Sequence, residues 1–119
     1  MIVDDDDDIA LAFKIGLEDN GFAVDTFNDP LDALLHFKPN VYDLMLLDIK
    51  MPKLNGLQFY YQMRCKDNYI KVCFITTSDI FFYENVIKQI SSLLSTKSIL
   101  RKPIKLKELV ESIQKQLNC

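Results

Sequence analysis

The most informative segment of this chain is Leu46-Leu47-Asp48, which continues into Ile49-Lys50-Met51-Pro52 and reaches Gly56 four residues later. Its apolar beginning is typical of a buried parallel strand, which has an apolar layer against both of its faces. Such a strand ends in a loop at one edge of its sheet, where ligands bind in open α/β folds. We therefore expect the Asp48 carboxylate to lie in a crevice at that edge.

Two other strand-like runs end in a polar residue in the same way. They are Ile2-Val3-Asp4-Asp5 and Val72-Cys73-Phe74-Ile75-Thr76, and the segment Leu100-Arg101-Lys102-Pro103 follows later in the chain. Proline cannot donate a hydrogen bond to a neighbouring strand, so Pro103 marks the end of its strand. If these strands lie parallel, all four polar ends gather at one edge of one sheet.

Segments with apolar residues at helical spacing separate the strands. The first helix is predicted to begin after Asp8 as its N-cap and to close at Asn20-Gly21, and the second opens with Asp29-Pro30 and ends before Pro39. The remaining predicted strands cover Phe22–Phe27, Leu44–Asp48, Ile70–Thr76 and Ser98–Leu100, and the remaining helices follow Asn55, carry Tyr83 to Leu94 and run from Leu106 to Leu117. Five consecutive strand-helix units predict a doubly wound α/β domain over residues 1–119, with a parallel sheet between helices. The first strand is short for a central strand, which indicates a clipped or misassigned amino terminus.

Size and composition narrow the class of protein. The 119 residues, 49% of them hydrophobic, suffice for one core. A formal net charge of -3 without a clustered basic face argues against direct nucleic-acid binding. Cys65, Cys73 and Cys119 lack metal-ligand spacing and are expected to be reduced thiols. No apolar run approaches the roughly 20 residues of a membrane span and no signal peptide is evident, so we expect a soluble, cytoplasmic protein.

The acidic run Asp4 to Asp8 divides into two parts. Asp6 and Asp7 are expected to form a solvated charge run and a helix cap, whereas Asp4 and Asp5 lie at the strand end and can face the crevice of Asp48. Carboxylates packed within a few ångströms compete for protons unless a cation neutralises them. Mg²⁺ is the natural candidate, because a few carboxylates, waters and a substrate phosphate satisfy its octahedral coordination. An EF-hand calcium loop is a poor match, because Ile9 and Ile15 stand where that loop requires glycine and glutamate.

Two further residues belong to this edge. A lysine is normally a surface residue, but Lys102 beside three aspartates is expected to be their ion-pair partner and a point charge for a phosphoryl oxygen. Thr76 ends its strand with a hydroxyl that could donate to the same oxygen, although a β-branched residue filling a strand end is an equal alternative.

Asp4-Asp5, Asp48 with Met51-Pro52 and Gly56, Thr76, and Lys102-Pro103 together resemble the receiver domain of two-component response regulators. The resemblance covers essentially the whole chain. It implies a flavodoxin-like, CheY-like sheet of order 2-1-3-4-5 and a role in phosphorelay signal transduction. The implied partners are a sensor histidine kinase or phosphotransfer protein and a downstream output protein or domain. Dimerisation would use the face formed by the fourth helix, the fifth strand and the fifth helix.

The resemblance also implies a role for each site residue. Asp48 would be the phosphoacceptor, and Thr76 and Lys102 would hold the phosphoryl oxygens. The Mg²⁺ ligands would be Asp5, Asp48 and the backbone carbonyl of Lys50, with Asp4 acting through water. Such a protein promotes its own phosphorylation and dephosphorylation and is not a turnover enzyme.

Three positions depart from the family pattern. Ile99 replaces the usual tyrosine or phenylalanine, so coupling from the phosphate to the surface would be weaker or built differently. Thr77 replaces the usual alanine or glycine and would narrow access to the phosphoryl group. Lys50, two residues after the phosphoacceptor, would change how easily water enters.

Three classes of function fit the sequence. The leading one is a phosphorylatable receiver, either a stand-alone protein or a domain excised from a longer regulator or hybrid kinase. The second is an atypical receiver that acts as a phosphorylation-independent interaction module, although such a module has no physical need for the complete acid set, Thr76 and Lys102. The third is a hydrolase of the haloacid dehalogenase type, with Asp4 as nucleophile. The phosphorylated residue distinguishes them: Asp48 in a receiver, Asp4 in a hydrolase and neither in a module.

Overall fold

The computed structural model describes residues 1–48, 56–67, 70–76 and 99–118. Within them, five strands form one sheet: β1 (Ile2–Val3), β2 (Thr26–Phe27), β3 (Leu44–Asp48), β4 (Lys71–Thr76) and β5 (Ile99–Arg101). The same residues contain the helices α1 (Asp7–Asp19), α2 (Pro30–His36), α3 (Gly56–Lys66) and α4 (Leu106–Leu117). Every neighbouring pair of strands is parallel, and the order β2-β1-β3-β4-β5 is the predicted order.

The strand β3 shows why an apolar run without alternation forms this sheet. All five of its residues are buried, because successive side chains point to opposite faces and helices cover both faces. Met45 and Leu47 pack in one apolar cluster with residues of α2 and α3. Leu44 and Leu46 pack in a second cluster with residues of α1 and α4. The sheet is therefore the middle layer of three, and its strand ends are the parts open to ligands.

The helix α1 begins two residues earlier than predicted. Its N-cap is Asp6, whose side chain accepts hydrogen bonds from the backbone N–H groups of Asp8 and Ile9 at 3.1 and 3.2 Å. The assignment of Asp8 as the cap is therefore wrong. Five consecutive aspartates offer several equivalent caps, and only the place where β1 ends selects among them.

The strand bounds differ in three places. Residues 22–25, predicted as part of the second strand, lie outside β2, because among the described strands β2 pairs only with β1 and β1 has two residues. The strand β4 begins at Lys71 and not at Ile70, and β5 extends to Arg101.

Other local predictions are confirmed. Asp29 caps α2 by accepting from Leu31 N at 2.9 Å, Pro30 is in the first turn, and the helix ends before Pro39.

The predicted cap Asn55 and the predicted helix carrying Tyr83 to Leu94 lie outside the described residues. Cys65 and Cys73 are free thiols, and Cys119 is likewise outside the described residues. In the part of the chain that the structure describes, no helix has both the length and the apolar character that crossing a bilayer requires.

Candidate functional site

Two buried carboxylates lie side by side at the carboxyl edge of the sheet. Asp48 is the last residue of β3, and Asp4 directly follows β1. Because Val3 is in register with Leu47, Asp4 and Asp48 come at the same level on neighbouring strands. Asp4 is 2% exposed and Asp48 is 4% exposed. Burial of two acidic side chains is costly unless charges of opposite sign lie nearby.

Asp5 completes an acidic cluster. One carboxylate oxygen from each of Asp4, Asp5 and Asp48 lies within 4.8 Å of the other two. Asp5 is exposed, unlike the other two, and so forms the solvent side of the cluster. The three side chains therefore lie close together, as the sequence predicts.

Lys102 supplies a positive charge to the two buried carboxylates. Its Nζ donates to Asp4 Oδ2 at 2.9 Å and lies 3.6 Å from Asp48 Oδ2. Burial disfavours the charged lysine, but the hydrogen bond to Asp4 and the charge of Asp48 outweigh it and raise the pKa of Lys102 above its usual 10.5. The ammonium is therefore charged at neutral pH, and the predicted ion pairs are present.

The backbone after β1 holds Asp4 in place. Asp6 N donates to Asp4 Oδ1 at 2.9 Å, while Asp4 Oδ2 accepts from Lys102. An aspartate that accepts from the N–H group two residues later forms an Asx turn. This role of the Asp6 backbone was not predicted from the sequence, although an aspartate two residues ahead of it is a signal for an Asx turn. Asp4 is thus oriented from both sides.

The donor set fits a small divalent cation. Three carboxylates and one ammonium leave a formal charge of −2, which a divalent ion neutralises. The three ligand atoms of this cluster that the structure describes are carboxylate oxygens, the type that Mg²⁺ prefers. Oxygens bound to one Mg²⁺ are about 3 to 4 Å apart, given metal–oxygen distances of about 2.1 Å. A separation of up to 4.8 Å suits direct binding by some oxygens and binding through water by another.

The remaining predicted site residues are described in part or not at all. Asp48 is in register with Ile75, so the backbone of Thr76 comes one residue beyond the level of Asp48 at the same edge. Ile99 begins β5 opposite Phe74. Lys50, with its predicted carbonyl ligand, and Thr77 lie outside the described residues.

Comparisons with known proteins agree with the observed fold. A family model described as the response regulator receiver domain matches residues 1–114. The chain is 32% identical over 114 residues to the transcriptional regulatory protein CpxR homolog of Haemophilus influenzae, a match to 96% of this chain and 48% of that protein. It is 37% identical over 76 residues to the transcriptional regulatory protein PrrA of Mycobacterium bovis, a match to 64% of this chain and 33% of that protein. The chain thus spans half or less of each curated relative.

A solved structure shows the same likeness over nearly the whole chain. The receiver domain of the Francisella response regulator 1452 superposes with a TM-score of 0.80 and 28% sequence identity. The match covers 98% of this chain and 93% of that structure.

Proposed function

The chain belongs to the family of response regulator receiver domains, and from this premise we propose that Asp48 accepts a phosphoryl group from a histidine kinase or phosphotransfer protein. The observation that carries the proposal is the cluster of Asp4, Asp5 and Asp48 with Lys102 bound to two of its members. The proposed consequence is an altered partner-binding surface in a cytoplasmic two-component pathway.

The proposed reaction needs a nucleophile and positive charge. An oxygen of the Asp48 carboxylate attacks phosphorus, and the phosphorus–nitrogen bond of phosphohistidine breaks with its electron pair going to the imidazole. The product is an acyl phosphate on Asp48. No general base is required for an ionised carboxylate, and the adjacent positive charge of Lys102 favours that form of Asp48. Asp48 is suited to this role since it lies at the loop edge of its strand.

Lys102 and Asp4 have supporting roles in this proposal. Lys102 Nζ, 3.6 Å from Asp48, is close enough to follow a phosphoryl oxygen once Asp48 is modified. Asp4 keeps the ammonium in position through its 2.9 Å hydrogen bond. Thr76 is proposed to donate its hydroxyl to a second phosphoryl oxygen.

The proposed cation is Mg²⁺. Its ligands would be Asp5, Asp48 and the backbone carbonyl of Lys50, with Asp4 reached through water. When bound there, Mg²⁺ would add positive charge beside the phosphoryl oxygens.

The output of the switch is proposed from the relatives. The two curated relatives are named as transcriptional regulatory proteins, and both are longer than the region they share with this chain. We infer an output protein or domain as the downstream partner. Its contact, or a dimer contact, would be the face formed by the predicted helix that carries Tyr83 to Leu94, by β5 and by α4, which is the fifth predicted helix. The domain would act by changing partners and not by turnover of a substrate.

The experiment is intact-mass measurement after incubation with acetyl phosphate, with Mg²⁺ and with EDTA. The parent chain and Asp8→Asn, a control in the same acidic run, should gain one phosphoryl group only with Mg²⁺. Asp48→Asn should gain none. Labelling of Asp4 would instead indicate a hydrolase of the haloacid dehalogenase type, and no labelling would indicate the phosphorylation-independent interaction module.

A further inference from the structure

Asp6 connects the helix α1 to the acidic cluster, although it is not one of the three clustered carboxylates. Its carboxylate Oδ1 accepts from Asp8 N at 3.1 Å and from Ile9 N at 3.2 Å, and its backbone carbonyl accepts from Ala10 N at 3.0 Å. Its backbone N–H donates to Asp4 Oδ1 at 2.9 Å. One exposed residue thus bonds to the first turn of α1 on one side and to a buried carboxylate on the other.

The connection between β1 and α1 is short. The strand ends at Val3 and the helix begins at Asp7. The residue that follows the strand is fixed to the sheet, because Asp4 N donates to Phe27 O at 3.0 Å. The residue that precedes the helix, Asp6, has the extended backbone of an N-cap, with φ -89° and ψ 103°. A shift of the first turn of α1 therefore moves the Asp6 N–H group relative to Asp4.

The two oxygens of the Asp4 carboxylate have different partners. Oδ1 accepts from Asp6 N, and Oδ2 accepts from Lys102 Nζ at 2.9 Å. The main chain of Asp4 is held by the sheet, but its side chain can still rotate about χ1 and χ2. Without the bond from Asp6, the carboxylate could turn about its contact with Lys102. Its position relative to Asp5 and Asp48 would then no longer be fixed.

Electrostatic attraction is the alternative role for Asp6. Its carboxylate is exposed, and its charge would attract a divalent cation through solvent. Asparagine removes that charge but is as good an N-cap as aspartate, whereas alanine removes both the charge and the cap. Comparison of Asp6→Asn with Asp6→Ala therefore isolates the cap.

We propose that Asp6 is a positioning residue of the cation site, which acts through its helix cap on the orientation of Asp4. This proposal rests on the Mg²⁺ site of the proposed function. Outer-shell groups that orient the ligands of a metal contribute to its affinity. Here the group that orients Asp4 is a backbone N–H, and the side chain of the same residue holds that N–H in place.

The first measurement is hydrogen exchange of backbone amides in EDTA, corrected for the intrinsic rate of each sequence. In Asp6→Ala, the amides of residues 8 and 9 lose their acceptor and should exchange faster than in Asp6→Asn. The amide of residue 6 should also exchange faster, by about twofold to fivefold, because an N-cap usually shifts a local equilibrium by about fivefold. A cap that stabilises only the helix would accelerate residues 8 and 9 and leave residue 6 unchanged, and that result would overturn the proposal.

The second measurement is Mg²⁺ affinity by calorimetric titration at constant ionic strength. The dissociation constant of Asp6→Ala should exceed that of Asp6→Asn by about twofold to fivefold, because the value of the cap is the upper limit of its effect on affinity. Asp29 supplies the matched control, since it caps α2 by accepting from Leu31 N at 2.9 Å and is not one of the clustered carboxylates. Asp29→Ala and Asp29→Asn should have equal affinities for Mg²⁺.

Equal dissociation constants of the two Asp6 variants would overturn the proposal. A difference of the same size between the two Asp29 variants would also overturn it, because loss of any cap would then weaken the site. Absence of Mg²⁺ binding by the parent would instead refute the proposed cation site. The exchange of residue 6 in EDTA would still decide whether the cap orients Asp4.

Discussion

At the scale of single residues, Lys102 is the cation that faces both buried carboxylates of the described site. The side chain of Lys102 is 14% exposed, and the side chains of Asp4 and Asp48 that it faces are 3% and 4% exposed. Removing one partner of a buried ion pair leaves the other charges uncompensated, and that loss is usually larger than the net value of the pair. The lysine is thus as much a part of the fold as of the proposed reaction.

We predict that Lys102→Met lowers the free energy of unfolding by about 3 kcal/mol in EDTA at neutral pH. The pKa of Lys102 is raised in the folded state, so its stabilising effect is fully present below the unfolded value of 10.5 and is lost as pH rises through the folded value. Urea unfolding over a pH series should show a constant difference from the parent up to about pH 9 and a smaller one above 10.5. The exposed Lys107→Met is the control, and an equal loss in that variant would contradict the prediction.

Residue identities at the site followed from sequence wherever a strand ended in a charged residue. Asp4, Asp48 and Lys102 each follow or end a strand, so a parallel sheet must bring them to one edge. Asp67 had no such signal, although it is buried and accepts from Asn40 N at 3.0 Å. That contact joins residues 27 positions apart in the chain, and no local pattern encodes it.

At the scale of elements, α1 and α4 meet at Gly16. A methyl group at Gly16 would lie 2.5 Å from both Cδ atoms of Leu106, so the absence of a side chain lets Leu106 pack there. Glycine inside a helix is less favourable than alanine by about 1 kcal/mol. Gly16 therefore lowers the helix propensity of α1 but allows α1 and α4 to pack closely.

We predict that Gly16→Ala has two opposite effects on the free energy of unfolding. Higher helix propensity stabilises the protein, and a clash with Leu106 destabilises it. In the Leu106→Ala background the steric conflict is absent, and Gly16→Ala should stabilise the protein by about 1 kcal/mol. In the parent, the same substitution should stabilise the protein by less or should destabilise it, because Leu106 must move. Urea unfolding of the four proteins measures the coupling. Equal effects of Gly16→Ala in both backgrounds would show that the two residues do not interact.

Element types were easier to predict than element bounds. Apolar periodicity identified the described helices and strands, since a helix buries one apolar stripe and a central parallel strand buries both of its faces. The bounds of β2 depended on the length of β1, which is a property of the neighbouring strand and not of residues 22–27 themselves. The N-cap of α1 is Asp6 and not the predicted Asp8, because the aspartates of this run are chemically equal and the sequence does not distinguish them.

At the scale of the whole molecule, the proposed cation site should couple to stability. A ligand that binds only the folded state stabilises it, by about 1.4 kcal/mol at ten times its dissociation constant. We predict that the thermal midpoint of the parent rises with Mg²⁺ at constant ionic strength. Asp5→Ala should abolish most of that rise, whereas Asp8→Ala, which removes an exposed charge outside the cluster, should retain it. An unchanged rise in Asp5→Ala would contradict the assignment of Asp5 as a ligand.

The contact between Asp4 and Lys102 joins residues 98 positions apart, nearly the full span of the domain. During synthesis on a ribosome, the carboxylates of β1 and β3 are made long before the lysine that neutralises them. A nascent or truncated chain that lacks β5 therefore holds its acidic residues without their internal counter-charge. The proposed acceptance of phosphate consequently depends on synthesis of this region as far as β5, so a copy that stops earlier would not compete with longer ones for the signal.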